Sequence, residues 1–180
     1  MYNQFDLYPA YGIPVGMVVE VFNGGKNGKV ISLKNIVDMP WSTPEAISIK
    51  TDATDYNDGI TNTMKIQSFP NWEVNYPAVK ACASYGENWY LPSIGDMAWF
   101  FTNVNTWNNN FLTRINNNLD YHRKNNSGLD IQLIISTQSY FSSTESSTDH
   151  TKAAKLYPAN GDIIYEPKDW NYYIRPFFDF

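Results

Sequence analysis

The chain has 180 residues and a net charge of -5, with 13 lysine and arginine residues against 18 aspartate and glutamate residues. This length suffices for one hydrophobic core, so we expect a single domain over residues 1–180. The acidic balance argues against a nucleic-acid partner, because such proteins need a basic surface for the phosphate backbone. Aromatic residues make up 16% of the sequence, so large rings must supply much of the core.

Membrane and export signals are weak in this sequence. No apolar run approaches the roughly 20 residues that span a bilayer, and residues 1–10 lack the pattern of a signal peptide. We therefore expect no membrane insertion, and we expect an exported parent protein to carry its signal upstream. Cys82 is the only cysteine, which excludes an intrachain disulfide.

A β-hairpin is predicted near the start of the chain. Residues 16–22 and 29–33 are apolar and β-branched, and residues 23–28 between them read Asn-Gly-Gly-Lys-Asn-Gly, which tolerates positive φ. Residues 35–75 contain three prolines and little periodicity, so we expect an irregular but ordered connection. Segments of this length without regular structure are usually functional or are packed by their own side chains.

Helices are predicted in the middle of the chain. The first spans residues 76–85, with Pro77 at an early helical position. The second begins after Ser93, a capping residue that is followed three positions later by Asp96. The apolar stripe of this second helix is Met97, Phe100, Phe101 and Val104. A third helix is predicted over residues 106–119.

Short strands are predicted in the last third of the chain. They cover residues 140–144, 153–157, 163–166 and 172–178, while residues 132–136 are either a strand or a loop. Asn160-Gly161-Asp162 predicts a hairpin turn. Helices in the middle with strands at both ends predict an α+β fold, with two to three helices packed on short antiparallel sheets and terminal strands paired.

Several motifs, taken in order, resemble a known family. They are Gly-Gly-Lys-Asn-Gly-Lys-Val-Ile-Ser-Leu at residues 24–33, Asp-Gly at 58–59 with Asn-Thr at 62–63, Tyr-Pro-Ala at 76–78, Trp-Tyr-Leu-Pro-Ser at 89–93, Phe-Ser-Ser-Thr-Glu at 141–145 and Arg-Pro at 175–176. This series resembles bacterial C-type-lectin-like domains of uncharacterised surface proteins. The resemblance covers nearly the whole chain.

The resemblance implies a C-type-lectin-like fold, shared with the formylglycine-generating enzyme group and with retroelement-diversified variable proteins. It differs at Phe141, where many relatives have tryptophan. It also marks a set of structural positions: Trp89, Leu91, Pro92, Ser142, Ser143, Glu145 and Arg175. We expect Glu145 either to accept hydrogen bonds from a buried amide or to pair with Arg175, in which case Arg175→Ala would lower the melting temperature.

No catalytic site, metal or cofactor is predicted. The formylglycine-generating relatives need reactive cysteines, whereas Cys82 lies on the apolar face of a predicted helix, where a buried thiol is inert. Residues 166–171 resemble a calcium loop, but Lys168 places a cation where an oxygen ligand would lie. His122 and His150 are far apart in sequence and are expected to be solvated.

The sequence therefore predicts a non-enzymatic recognition or adhesion module that binds a glycan or protein ligand without calcium. Loops at residues 35–75, 142–152 and 158–171 would present the ligand-binding side chains. The candidates are Trp72, Trp107, Asp169, Trp170, Asn171 and Tyr172. The expected location is the cell surface, as part of an exported protein.

One alternative is a structural or receptor-binding component of a phage virion or another assembly, with sister subunits as partners. The other, an enzyme of unknown chemistry, is disfavoured because no nucleophile motif, metal cluster or phosphate loop appears.

Overall fold

The computed structural model describes residues 1–102 and 110–180 and contains two five-stranded sheets. In the first sheet the order is β1-β2-β3-β10-β5 and every pair is antiparallel. The predicted hairpin is confirmed, with Met17 opposite Ile31 and positive φ at Asn23, Gly24 and Gly25 in its turn. The strands are β1 (Leu7–Tyr8), β2 (Gly16–Phe22), β3 (Asn27–Ser32), β5 (Trp89–Tyr90) and β10 (Phe177–Asp179).

The second sheet has the order β4-β9-β6-β7-β8 and contains one parallel pair, β6 with β9. Its strands are β4 (Ile36–Pro40), β6 (Tyr140–Glu145), β7 (Lys152–Tyr157), β8 (Asp162–Pro167) and β9 (Asn171–Ile174). The single strand predicted over residues 172–178 is instead β9 and β10, which belong to different sheets. Arg175 and Pro176 lie between these two strands, and Pro176 has no N–H to donate to a ladder.

Five helices lie in the described parts of the chain, so the prediction of two to three helices was too low. They are α1 (Gly59–Gln67), α2 (Trp72–Asn75), α3 (Pro77–Ala83), α4 (Ile94–Phe100) and α5 (Phe111–Asn125). The two that were missed, α1 and α2, lie in the segment predicted to be irregular. The buried face of α1 includes Asn62 and Thr63 beside Ile66, so polar residues obscure the apolar periodicity that marks a helix.

The predicted capping of α4 is confirmed. The Ser93 hydroxyl accepts a hydrogen bond from the Asp96 N–H at 3.1 Å, and the Asp96 carboxylate accepts one from the Ser93 N–H at 3.2 Å. The predicted helix over residues 106–119 overlaps α5, which begins at Phe111. Trp107 and Val104 lie outside the described residues. Residues 132–136 form a loop rather than a strand.

The larger core cluster is built around Phe177, which is fully buried in β10. Its ring centroid lies 5.7 Å from that of Phe100, 5.6 Å from that of Phe101 and 6.3 Å from that of Tyr90. A second cluster, which includes Cys82, lies between α1, α3 and the second sheet. The strand pairing of β10 and its ring contacts therefore join the first sheet to α4.

We expect Phe177→Ala to lower the free energy of unfolding by about 3–5 kcal/mol, because it removes a buried ring at the centre of three aromatic contacts. Chemical denaturation would measure the loss. The control is Phe22→Ala, whose ring is 47% exposed and should cost no more than about 0.5 kcal/mol. Similar losses for both variants would contradict this assignment of the core.

Candidate ligand-binding site

The motif residues at 91–94 and 142–144 lie against each other. Ser143 N–H donates to the Pro92 carbonyl at 2.7 Å, and Ile94 N–H donates to the Thr144 hydroxyl at 3.1 Å. Leu91 belongs to the second core cluster, and Ser142 donates to the Ala154 carbonyl at 2.8 Å. All six side chains of β6 are buried, so residues 142–145 do not form the exposed loop that the sequence predicted.

Glu145 pairs with Lys168 rather than with Arg175, so the predicted ion pair with Arg175 was wrong. The Lys168 ammonium lies 2.6 Å from a carboxylate oxygen of Glu145, and both side chains are fully buried. Arg175 instead donates to Asn35 Oδ1 and to the Gln132 carbonyl, each at 3.0 Å. The sequence does not show whether Lys168 or Arg175 pairs with Glu145, because the partner depends on which distant segment packs against the end of β6.

The other expected role of Glu145, as an acceptor for a buried amide, is present. Its carboxylate accepts hydrogen bonds from Thr51 N–H at 3.0 Å, Asp52 N–H at 3.2 Å and the Thr51 hydroxyl at 2.8 Å. Burial lowers the pKa of Lys168, and the hydrogen bond and charge of Glu145 oppose that shift. The Lys168 ammonium also lies 4.4 Å from the Trp41 ring centroid.

Cys82, His122 and His150 are the remaining side chains that could take part in catalysis or bind a metal ion. Cys82 is buried, and burial strongly raises the pKa of its thiol. His122 was expected to be solvated but is half-buried, with its Nε2 donating to the Phe5 carbonyl at 2.8 Å, while His150 is exposed. Within residues 1–102 and 110–180, no group of three or more His, Cys, Asp or Glu side chains could hold a metal ion.

The predicted ligand-binding residues do not form one site. Asp169 and Trp170 lie exposed in the turn after β8, and Asn171 opens β9. Tyr172 is half-buried, with its ring edge-on to Phe141 at a centroid distance of 4.8 Å. Trp107 lies outside the described residues, and Trp72 belongs to a different surface, a cleft of about 530 Å³.

One wall of this cleft is a single face of α1. Ile60, Thr63, Met64 and Gln67 follow the i, i+3, i+4, i+7 spacing of one helical face, and all four line the cleft. The Ile60 and Met64 side chains are 39% and 64% exposed. Since α1 packs a different face, with Ile66, against the core, these two exposed apolar side chains offer a contact surface for a ligand.

Local contacts hold α1 in this position. The Asp58 carboxylate caps the helix by accepting from Thr61 N–H at 2.8 Å. A Cβ atom at Gly59 would lie 2.6 Å from the Ser93 nitrogen, so only glycine allows this close approach to the start of α4. The Asn62 side chain exchanges two hydrogen bonds with the Asp55 backbone, at 2.7 and 2.9 Å.

The other lining groups are aromatic, polar and acidic. Trp72 of α2 packs against the second core cluster and also lines the cleft. Beyond α1 and Trp72, the lining comprises Glu73, Ala83, Gly86, Glu87, Asn88, Trp89, Tyr90 and Asp179. None of the cleft residues is lysine or arginine, so the cleft offers carboxylate and amide groups beside apolar surface.

Asp179 is fixed in place within the cleft. Its carboxylate accepts a hydrogen bond from the Tyr90 hydroxyl at 2.6 Å and lies 3.1 Å from the Lys29 ammonium. Burial and nearby carboxylates raise the pKa of Tyr90, so its hydroxyl stays protonated and donates. The Thr63 hydroxyl is bonded to the backbone of Leu91. The polar side chains in this part of the cleft wall are thus bonded to each other or to the backbone.

Comparison with known proteins supports the architecture. No family model and no curated protein matches the chain. A solved structure, that of a fimbrial protein from Bacteroides ovatus ATCC 8483, superposes with a TM-score of 0.54 at 17% identity. The match covers 83% of this chain but only 35% of the fimbrial protein. At this identity the likeness shows the fold alone, a mixed α+β arrangement.

Among residues 1–102 and 110–180, none of the helices combines the length and the hydropathy needed to span a bilayer.

We expect Lys168→Met to lower the free energy of unfolding by about 3–5 kcal/mol, because it leaves the buried Glu145 carboxylate without its cation. Lys152→Met is the matched control. Its pair with Asp149 is 3.1 Å long and is 42% exposed on each side, so its loss should cost about 1 kcal/mol or less. Thermal and denaturant melts would measure both losses. Equal losses would show that the buried pair of Lys168 and Glu145 stabilises the fold no more than the exposed pair of Lys152 and Asp149 does.

Proposed function

We propose that this chain is a non-enzymatic recognition module of an exported surface protein, and that it holds a glycan or protein ligand in the cleft lined by α1, α2 and residues between 83 and 90. The observation that carries the proposal is the exposed apolar pair Ile60 and Met64 beside Trp72. A flat apolar ligand face can pack on these side chains, while its polar groups bond to the amides and carboxylates around them. We also propose that binding is independent of calcium, since the segment that resembles a calcium loop carries the Lys168 ammonium, which pairs with Glu145.

The proposed architecture is a single C-type-lectin-like domain over residues 1–180. The motif series from residue 24 to residue 176 supports it, and so does the pairing of β10 with both β3 and β5, which ties distant parts of the chain into one sheet. The fold likeness to part of a fimbrial protein is compatible with a surface role. A fimbrial neighbour also supports the alternative of a component that assembles with other subunits.

The exposed turn at residues 169–171 is a second candidate contact surface. Trp170 is 52% exposed there, but it is not among the residues that line the cleft with Trp72, and it lacks the apolar wall that α1 provides. The cleft is therefore the site we expect to bind the ligand.

The cleft proposal predicts that Trp72→Ala and Met64→Lys each weaken ligand binding by about tenfold or more, because each removes or charges a central apolar contact. A glycan array and a pull-down against cell-surface extracts would identify a ligand, and titration with that ligand would measure the loss. Trp170→Ala is the control, since it removes an exposed tryptophan outside the cleft. Loss of binding with Trp170→Ala alone would transfer the site to the turn, and no ligand in either screen would contradict the recognition role.

A further inference from the structure

Strand β8 forms an open edge of the second sheet. Among the described residues it pairs with β7 alone, in the antiparallel register that sets Ala154 opposite Tyr165. Lys168 N–H, one residue beyond the strand, donates to the Thr151 carbonyl at 3.0 Å. Since bonding alternates along an antiparallel pair, Ile164 bonds to β7, whereas Ile163 and Tyr165 direct their N–H and C=O groups away from it.

This edge is also apolar. Ile163, Ile164 and Tyr165 are 36%, 44% and 41% exposed, and successive side chains lie on opposite faces of the sheet. A long apolar edge with free backbone groups is a template for another strand, and proteins usually protect such edges. The other edge strands within residues 1–102 and 110–180 are protected: β1 and β5 have two residues each, and β4 ends in Pro40 with an irregular register.

Charge decides which kind of strand fits this edge. Asp162 and Glu166 flank Ile164 on the same face of β8. If a second copy paired antiparallel with Ile163 opposite Tyr165, Asp162 would lie opposite Glu166, and like charges in that position are destabilising. Lys155 of β7 lies 4.0 Å from Glu166. In that register the edge disfavours a second copy, and its flanking carboxylates favour a strand with basic residues.

We propose that β8 binds an extended segment of another protein as a sixth strand of this sheet. The segment would place lysine or arginine opposite Asp162 and Glu166, with apolar side chains opposite Ile163 and Tyr165. Main-chain hydrogen bonds from the two outward residues would supply much of the affinity, and the flanking charges would supply the selectivity. This surface is separate from the cleft, and it does not depend on the cleft binding a ligand.

The test is amide hydrogen exchange of the whole chain with and without the heptapeptide Thr-Lys-Val-Thr-Val-Lys-Thr. In an antiparallel register its lysines lie opposite Asp162 and Glu166. Exchange at the Ile163 and Tyr165 amides should slow by about tenfold or more at saturation, because these groups become bonded. The Ile164 amide is an internal control, since it is already bonded to β7. Unchanged exchange at Ile163 and Tyr165 would overturn the proposal.

Two matched comparisons show whether pairing and charge are responsible. Tyr165→Pro removes an outward N–H without removing a bond to β7 and should abolish peptide binding, whereas Tyr165→Thr keeps the N–H and should retain it. The same peptide with both lysines replaced by glutamate should bind about tenfold more weakly. Equal binding of the two peptides would overturn the basic partner. A homodimer that Tyr165→Pro dissociates would likewise overturn it and assign the edge to a second copy.

Discussion

Glu145 and Lys168 are both fully buried, and neither charge could remain in the core without the other. Their contacts reach well beyond the pair. Lys168 carries backbone bonds from Trp41 and Ser42 on its carbonyl, and Glu145 accepts from the amides of Thr51 and Asp52. The irregular segment after β4 is thus held to the end of β6 through hydrogen bonds rather than through regular structure. A charge pair that satisfies so many donors orders a stretch that has few elements of its own.

The position of α1 follows from that anchoring. Glu145 N–H donates to the Ala53 carbonyl and the Thr144 hydroxyl donates to the Asp55 carbonyl, which place the chain just before the helix. The helix then packs polar Asn62 and apolar Ile66 against the core and leaves a second face outside. An amphipathic helix normally exposes a polar face. In α1 part of the outer face is apolar, and this is why the cleft beside it has an apolar wall.

The two proposed contact surfaces would bind through different interactions, namely side-chain contacts in the cleft and backbone hydrogen bonds at the edge of β8. The cleft offers side-chain surface, with apolar groups on α1 and acidic groups around it, so its selectivity would depend on ligand shape and chemistry. The edge of β8 offers backbone groups, so any extended segment could bond there and the flanking carboxylates must provide the discrimination. Both surfaces are acidic, in line with the net charge of -5. A domain with two independent surfaces can bind a ligand while it remains attached to a larger assembly.

Sequence alone determined the elements whose signals are local. The hairpin of β2 and β3 follows from its glycine-rich turn, the start of α4 follows from Ser93 and Asp96, and the last strands follow from alternating runs between turn residues. Sequence also placed Trp72 among the candidate ligand residues, although not Ile60 or Met64, because α1 has no clear apolar period. Tertiary structure alone decided that Glu145 meets Lys168, that residues 171–179 divide between two sheets, and that Trp72 and Trp170 lie on separate surfaces. The reason is that these outcomes depend on contacts between residues distant in sequence, whose partners are set by how the sheets and loops pack and not by neighbouring residues.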